Sequence, residues 1–323
     1  MHQSRLLVRH LDHDVAIIIA LYDETSRQTI GGCRQLHYAC IEHALADAFE
    51  LSRAMAFKTT AHQLTYSGAK SVIYNPHQIP FSTIAPEFAD MLNKLDGQYY
   101  ASIDIGTGTK ELDLLAPLTP FIFGTSVQTD PSIATSAGVF AVIEYLIDKH
   151  LKKAPSDTHI AIQGLGKVGM NVALKCLKVG INVTATDLNN QCMQSLTQYP
   201  HFTASTPDKI FTTACDIFVP AACGHAIDEN NFTELNTRFI CPIANNPIDH
   251  PERLSEQLKH KGICYIPDFI SNGGGVVYVA NALDQNQNGF DATQIVKTLD
   301  RFMQTPSSAS LYNTVMQALN QTA

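Results

Sequence analysis

The chain has 323 residues, 45% of them apolar and 16% charged, with a formal net charge of −8. That is long enough for two domains of ordinary size and too apolar for a disordered protein. An acidic balance without any basic stripe leaves no electrostatic case for nucleic acid.

The N-terminus, Met1-His-Gln-Ser-Arg, lacks the apolar stretch of a signal peptide, and the apolar run 15–21 is too short to span a bilayer. These features read as a soluble, cytoplasmic protein with no membrane partner. Eight cysteines, at 33, 40, 176, 192, 215, 223, 241 and 264, show no CxxC or Cys/His ligand spacing. They read as buried or inert thiols in a reducing compartment, with neither a disulfide framework nor a metal site.

In the first part of the chain short strands alternate with helices. Residues 5–9 and 15–22 are strand candidates, the second a dense apolar run ended by Asp23 and Glu24. A helix over about 40–56 follows, because Ile41, Ala44, Leu45, Ala48, Phe49, Ser52, Met55 and Ala56 share one face. Strands near 71–74 and 99–103 flank a helix around 84–95. Pro117 and Pro120 interrupt the pattern, and the Gly/Ser/Thr/Asp/Pro-rich segment 124–131 reads as a hinge. A helix over 136–151 leads into the second part.

There, Ile160-Ala-Ile-Gln-Gly-Leu-Gly-Lys-Val-Gly169 stands in a context that gives a glycine motif meaning. A buried strand precedes it, a helix over 170–180 follows, and a second strand over 181–187 ends in Asp187, 21 residues beyond Gly166. Gly164 allows the tight turn, Gly166 lets backbone approach a pyrophosphate, and Gly169 lets helix and strand pack closely. The start of the helix, at Lys167 and Val168, offers free N–H groups and a positive dipole end. Asp187 is placed to accept from ribose hydroxyls, which favours NAD over NADP. Further strands near 216–219, 239–243 and 263–266 alternate with helical segments, as an open parallel sheet requires. Residues 292–304 and 308–321 read as helices.

Chemistry in the first part points to Lys58, Lys70 and Asp104, each at the end of an element and near glycine. One ammonium can hold a substrate carboxylate, while a second cation beside the first is easier to deprotonate and can act as a general base. Taken singly, each reads better as a surface lysine or a capping aspartate.

Taken together, the motifs are more specific. Gly31-Gly-Cys-Arg, Met55-Ala-Phe-Lys, Gly68-Ala-Lys70, Asp104-Ile-Gly-Thr, Asp130-Pro-Ser, the glycine motif, Pro220-Ala-Ala-Cys-Gly, Ala244-Asn-Asn and Tyr265-Ile-Pro-Asp-Phe-Ile-Ser-Asn-Gly-Gly-Gly occur in one order. In this the chain resembles the Glu/Leu/Phe/Val amino-acid dehydrogenases, the leucine branch most of all, from about residue 15 to about residue 285.

The resemblance implies an α/β fold of two domains. Residues 1–125 would form an α/β substrate-binding and oligomerisation domain, taking back a C-terminal helix at 301–323. Residues 126–300 would form a Rossmann-type, doubly wound NAD-binding domain. It also implies roles. Lys58 would hold the substrate carboxylate, Lys70 would activate water, and Asp104 would exchange protons with the substrate nitrogen. Gly31, Met55, Ile30, Val276 and Val279 would line the substrate site, and Thr135, Asn245 and Asn246 would stand near the nicotinamide. The implied reaction is reversible oxidative deamination of a small branched-chain L-amino acid by a homo-oligomer, in a cleft between domains.

The chain also departs from the family pattern. Gln63-Leu-Thr-Tyr-Ser-Gly-Ala-Lys70 stands where Gly-Leu-Asn-Leu-Gly-Gly-Gly-Lys is usual, and Ser102-Ile103 where Ala-Glu is common. Asp130-Pro-Ser-Ile replaces Asn-Pro-Ser-Pro, and Tyr278 replaces a polar residue. A silent or regulatory NAD-binding paralogue, or a dehydrogenase of a different amino acid, therefore stays open. A hydroxy-acid enzyme would need a catalytic His/Arg pair, and no well-placed candidate is seen.

Overall fold

The computed structural model describes residues 4–22, 28–128, 130–284 and 289–322. Asp23, Glu24, Thr129 and Ala323 of the segments discussed above lie outside the described residues. The chain divides into two compact units, one of Met1–Pro131 with Val276–Gly289, the other of Ser132–Gly275 with Phe290–Ala323.

In the first unit, β1 (Arg5–His10), β2 (Ala16–Leu21), β3 (Thr29–Leu36), β4 (Ser67–Tyr74), β5 (Tyr99–Ser102) and β6 (Ile122–Phe123) form one sheet in the order β1-β2-β4-β3-β5-β6. The pairs β1/β2 and β2/β4 are antiparallel and the others parallel. Three helices accompany it: α1 (Ile41–Ala61), α2 (Phe81–Lys94) and α3 (Thr109–Leu115).

The unbroken apolar run of β2 follows from burial on both faces. Ile18 and Ala20 pack with Val72 against Ala44 and Ala48 of α1. Their neighbours Ile17 and Ile19 face the opposite core, with Phe88 and Leu92 of α2 and Leu112 of α3. Helix α1 lies hard on β4. A Cβ on Gly68 would stand 2.1 Å from the backbone nitrogen of Ala56, so only glycine admits this approach.

The second unit begins with α4 (Pro131–Tyr145), which runs on as a wider helical turn over 146–151. Its strands are β7 (His159–Gln163), β8 (Asn182–Thr186), β9 (Phe202–Ala204), β10 (Ile217–Pro220), β11 (Phe239–Ile240) and β12 (Cys264–Tyr265). All pair in parallel, in the order β12-β11-β10-β7-β8-β9. Strand order therefore reverses between β7 and β10, the switch point of a doubly wound Rossmann-type sheet. The helices that follow are α5 (Lys167–Lys178), α6 (Asn190–Gln194), α7 (Pro251–His260), α8 (Asp268–Ser271), α9 (Gly274–Leu283), α10 (Thr293–Met303) and α11 (Leu311–Thr322), of which α9 belongs from Val276 on to the first unit.

The C-terminal segment corrects one expectation. Residues 301–323 were to return to the first unit, but α10 and α11 pack within the second. The Tyr312 ring lies 6.1 Å from that of Tyr265 and 6.2 Å from that of Phe269. Asn313 Nδ2 donates to the Glu252 carbonyl and to Glu256 Oε1. The Tyr145 hydroxyl donates to Asp300 Oδ1 at 2.6 Å. What joins the first unit is the stretch from Val276, where Tyr278 meets Phe123 edge-on at 5.7 Å.

All eight cysteines are free. Cys33, Cys176 and Cys241 are buried, whereas Cys223 is exposed. Burial pushes the Cys33 and Cys176 thiols up to about 12. Among the described residues no helix is long and apolar enough to cross a membrane, and no group of three His, Cys, Asp or Glu side chains could hold a metal ion.

Candidate active site

In the first unit three charged side chains meet, Arg34 from within β3, Lys70 from within β4 and Asp104 from just beyond the end of β5. Lys70 lies inside β4 and not at its mouth, because the strand begins at Ser67, four residues earlier than the apolar stretch 71–74 suggests. Its Nζ stands 2.6 Å from Asp104 Oδ2, and Arg34 Nε from β3 donates to the same oxygen at 2.8 Å. The side chains of Lys70, Arg34 and Asp104 keep only 6%, 11% and 16% of their exposure, so these are desolvated charges. Burial alone works to raise the Asp104 carboxyl, but Lys70 and Arg34 outweigh it and hold it below the usual carboxylate range.

The Asp104-Ile-Gly-Thr motif is a pinned turn. The N–H of Asp104 donates to the carbonyl of Thr107 at 3.2 Å, and the N–H of Thr107 returns a bond to that of Asp104 at 3.0 Å. Gly106 has a φ of +81°, and a Cβ there would lie 1.7 Å from the Gln35 carbonyl oxygen. The Thr107 hydroxyl donates to the Cys33 carbonyl, tying the turn to β3. Gly32 completes the approach, since a Cβ on it would come within 2.8 Å of Asp104 Cβ and 3.3 Å of Lys70 Nζ.

Lys58 and Met55 lie half-buried in the last turns of α1, the helix resting on β4. Ile30 and Gly31 lie on β3, where Ile30 pairs with Gly68. Val276 and Val279 are buried on α9, in the stretch that belongs to the first unit.

In the second unit the glycine turn has the expected form. Gly164 has a φ of +103°, which L side chains rarely adopt, and a Cβ on Gly169 would stand 2.3 Å from the Gly164 carbonyl oxygen. Gly166 differs: a Cβ there would meet nothing within 4 Å, so its surroundings are open. Asp187 Oδ2 accepts from the N–H of Leu165 at 2.7 Å and Oδ1 from that of Asn189 at 2.7 Å. Its carboxylate is thus anchored beside the turn while remaining half-exposed. Each oxygen keeps a lone pair for a ligand hydroxyl.

Just behind, Gln163 Oε1 and Thr186 Oγ1 are buried without a hydrogen-bond partner among the described residues. Lys167 is exposed and Val168 half-buried at the start of α5. These features fit a dinucleotide: an open glycine cradle, a helix N-terminus and an anchored acid.

Thr135 packs against the start of α9, for a Cβ on Gly274 would lie 3.0 Å from Thr135 Cα. Asn245 Oδ1 accepts from Asn272 Nδ2 at 3.0 Å. Asn246, at a φ of +47°, donates its N–H to Asp268 Oδ2 at 3.0 Å. Asn272, Asp268 and Arg34 stand within the motifs named above, yet the sequence alone assigns none of them a role. Arg34 carries no signal of its own in sequence, because Gly31 and Gly32 hide the strand on which Gly32 and Arg34 share a face.

The fold and these groups define a two-unit α/β oxidoreductase with a Rossmann-type nucleotide unit. The profile of the Glutamate/Leucine/Phenylalanine/Valine dehydrogenase family matches residues 128–188 and 186–322. Phenylalanine dehydrogenase of Caldalkalibacillus thermarum is 34% identical over 280 residues, covering 82% of this chain and 75% of its own length. Leucine dehydrogenase of Bacillus subtilis is 30% identical over 293 residues, covering 88% and 78%. Among solved structures, L-tryptophan dehydrogenase from Nostoc punctiforme matches in fold with a TM-score of 0.81 at 23% identity, covering 99% of this chain and 95% of that one.

The chain belongs to the Glutamate/Leucine/Phenylalanine/Valine dehydrogenase family. It is accordingly an amino-acid dehydrogenase, an oxidoreductase acting on CH–NH2 donors with a pyridine nucleotide. The leucine branch is not singled out, since phenylalanine, leucine and valine dehydrogenases match at similar identity.

Proposed function

We propose that this chain catalyses the reversible, NAD-dependent oxidative deamination of a branched-chain aliphatic L-amino acid to its 2-oxo acid and ammonia. The observation that carries this reading is the desolvated Lys70–Asp104 pair at 2.6 Å. A silent paralogue has no need to keep two opposite charges buried, because leaving them there without function costs desolvation energy.

In this reading Lys58 meets the substrate carboxylate. Asp104 receives a proton from the substrate nitrogen and returns it when ammonia leaves. Lys70, in its deprotonated amine form, takes the proton from the water that adds to the iminium carbon. A nicotinamide held by the second unit would supply the acceptor for the hydride lost from the α-carbon. Gly164, Gly166, Gly169, Lys167 and Val168 would cradle the pyrophosphate, and Thr135, Asn245 and Asn246 would flank the nicotinamide end. Asp187 supports NAD over NADP, because a 2′-phosphate would meet its carboxylate.

Ile30, Gly31, Met55, Val276 and Val279 offer an apolar lining that suits an aliphatic side chain. Such a lining separates neighbouring substrates by only about 1–3 kcal/mol per methylene. Assembly as a homo-oligomer through the first unit is part of the proposal. It is supported by edge strand β1, which leaves Leu6 and Val8 partly exposed.

The test is NADH formation at alkaline pH with a panel of L-amino acids that includes phenylalanine and tryptophan, with Lys70→Ala beside the wild type. Turnover of leucine, valine or isoleucine that is lost in the variant supports the proposal. Turnover confined to the aromatic substrates, or none at all with NAD still bound, defeats it.

A further inference from the structure

Asp104 is gripped on one side only. Its Oδ2 takes both the Lys70 ammonium at 2.6 Å and Arg34 Nε at 2.8 Å, whereas Oδ1 accepts no hydrogen bond among the described residues. Arg34 is itself held from behind. Its Nη1 lies 3.3 Å from Asp47 Oδ2 on α1, and that same oxygen accepts from the Tyr38 hydroxyl at 2.6 Å. One guanidinium thus bridges the helix to the Asp104 turn, using two edges of its planar fork.

We propose that Arg34 is the positioning residue of the site: by occupying Oδ2 together with Lys70 it leaves Oδ1 of Asp104 as the oxygen that exchanges protons with the substrate nitrogen. The proposal rests on the reading of Asp104 as the proton carrier. In the deamination direction Oδ1 takes one proton from the substrate nitrogen, and it gives that proton back to the departing ammonia. Arg34 keeps its own protons throughout, as a guanidinium does.

The geometry has a chemical consequence. Two cations on Oδ2 stabilise the carboxylate form, so the group is ionised before substrate arrives. A lysine at position 34 could retain the charge but not the fork that reaches Asp104 and Asp47 at once. The other polar groups around Asp104 are the Cys33 thiol on β3 and the Tyr99 hydroxyl on β5, both buried and held in the protonated form. Asp47 and Tyr38 lie behind Arg34, and Lys70 lies on β4. None of these replaces Arg34 if it is removed.

The test is a carboxyl-carbon NMR titration of the full chain without ligand, with the Asp104 signal assigned by Asp104→Asn. It is run on wild type, Arg34→Gln and Arg34→Lys beside pH profiles of kcat/KM. The expected result is an upward shift of the Asp104 titration by at least about one pH unit in Arg34→Gln. The acidic limb of kcat/KM should move the same way, and Arg34→Lys should restore part of both.

An Asp104 titration unmoved in a folded Arg34→Gln protein overturns the proposal. Should that variant fail to fold, the Arg34→Lys titration decides, a smaller upward shift supporting the proposal and no shift overturning it. The titration needs no turnover. An inactive wild type whose Asp104 signal still follows Arg34 would therefore sink the deamination reading alone.

Discussion

The Tyr66 hydroxyl donates to Asp284 Oδ1 at 2.8 Å, joining residues 218 positions apart in sequence. Tyr66 is one of the departures from the family pattern, and its bond reaches the end of α9, the helix that carries Val276 and Val279. Burial, then the Asp284 carboxylate, raise the phenol well above its ordinary value, so it remains a donor at neutral and mildly alkaline pH. The stability this contributes is present below the unfolded tyrosine value of about 10 and lost as pH climbs through the higher folded value. Tyr66→Phe should therefore cost about 1 kcal/mol at neutral pH. The difference from wild type, read from urea midpoints, should shrink as the pH is taken beyond about 10.

Neighbouring glycines on β3 should fail in different ways. A Cβ on Gly31 would lie 1.7 Å from the Ala69 carbonyl oxygen, inside the backbone of β4, and no rotamer relieves that clash. Gly31→Ala should cost about 4 kcal/mol or more and yield little folded protein. A Cβ on Gly32 presses on Asp104 Cβ and on the Ile103 carbonyl oxygen, each at 2.8 Å. Gly32→Ala should fold with a lower Tm yet lose roughly 10²-fold in kcat, as a displacement near 1 Å at a reacting group does. Melting curves and turnover measured on the same preparations would separate the two.

Acid should weaken the wild type through Asp104. Its carboxyl is held below the usual range, so its contribution is complete above the unfolded value of about 3.9 and disappears as pH falls through the lower folded one. Asp104→Asn leaves Lys70 and Arg34 buried without their carboxylate and should cost about 3 kcal/mol near neutrality. Urea unfolding across the acid range should show the gap between variant and wild type closing. A gap that stayed constant would mean that Asp104 is not the group titrating.

Gly166 permits a cleaner separation of binding from folding. A methyl group there meets nothing within 4 Å, and its backbone is not left-handed. Gly166→Ala should leave the Tm within the scatter of neutral surface changes, about 0.5 kcal/mol. It should nonetheless weaken NADH binding by roughly tenfold or more, because backbone must approach the pyrophosphate at this point. Fluorescence titration with NADH beside a melting curve would decide it.

The second unit was more legible in sequence than the first. Most of its strands are short apolar runs bounded by turn residues, the largely exposed β9 being the exception that sequence missed, and the glycine motif announces both the turn and the switch point. Strand β3 left no such trace, because Gly31 and Gly32 at its centre carry no strand propensity and read as punctuation. They are there because Ala69 and Asp104 press on them from neighbouring elements, a reason only tertiary structure reveals. Arg34 was invisible for the same cause: its partners Asp47 and Asp104 lie 13 and 70 residues away. Lys70 and Asp104 stand out in the sequence only as members of the ordered motifs, where glycine flanks both. The fate of the C-terminal helix could not, since amphipathic periodicity says that a face is buried and not against what.

The chain's division also bears on the order in which the protein can assemble during synthesis. The first unit comprises Met1–Pro131 but is closed only by Val276–Gly289, so its partners for Tyr66 and Phe123 emerge after nearly all of the second unit. Vectorial folding, in which an N-terminal domain is finished before the next begins, is therefore unavailable. The nascent first unit waits with part of its lining absent. The glycine-turn unit, whose β7 to β12 follow one another in sequence, has its whole sheet synthesised before Val276–Gly289 emerges to close the first unit.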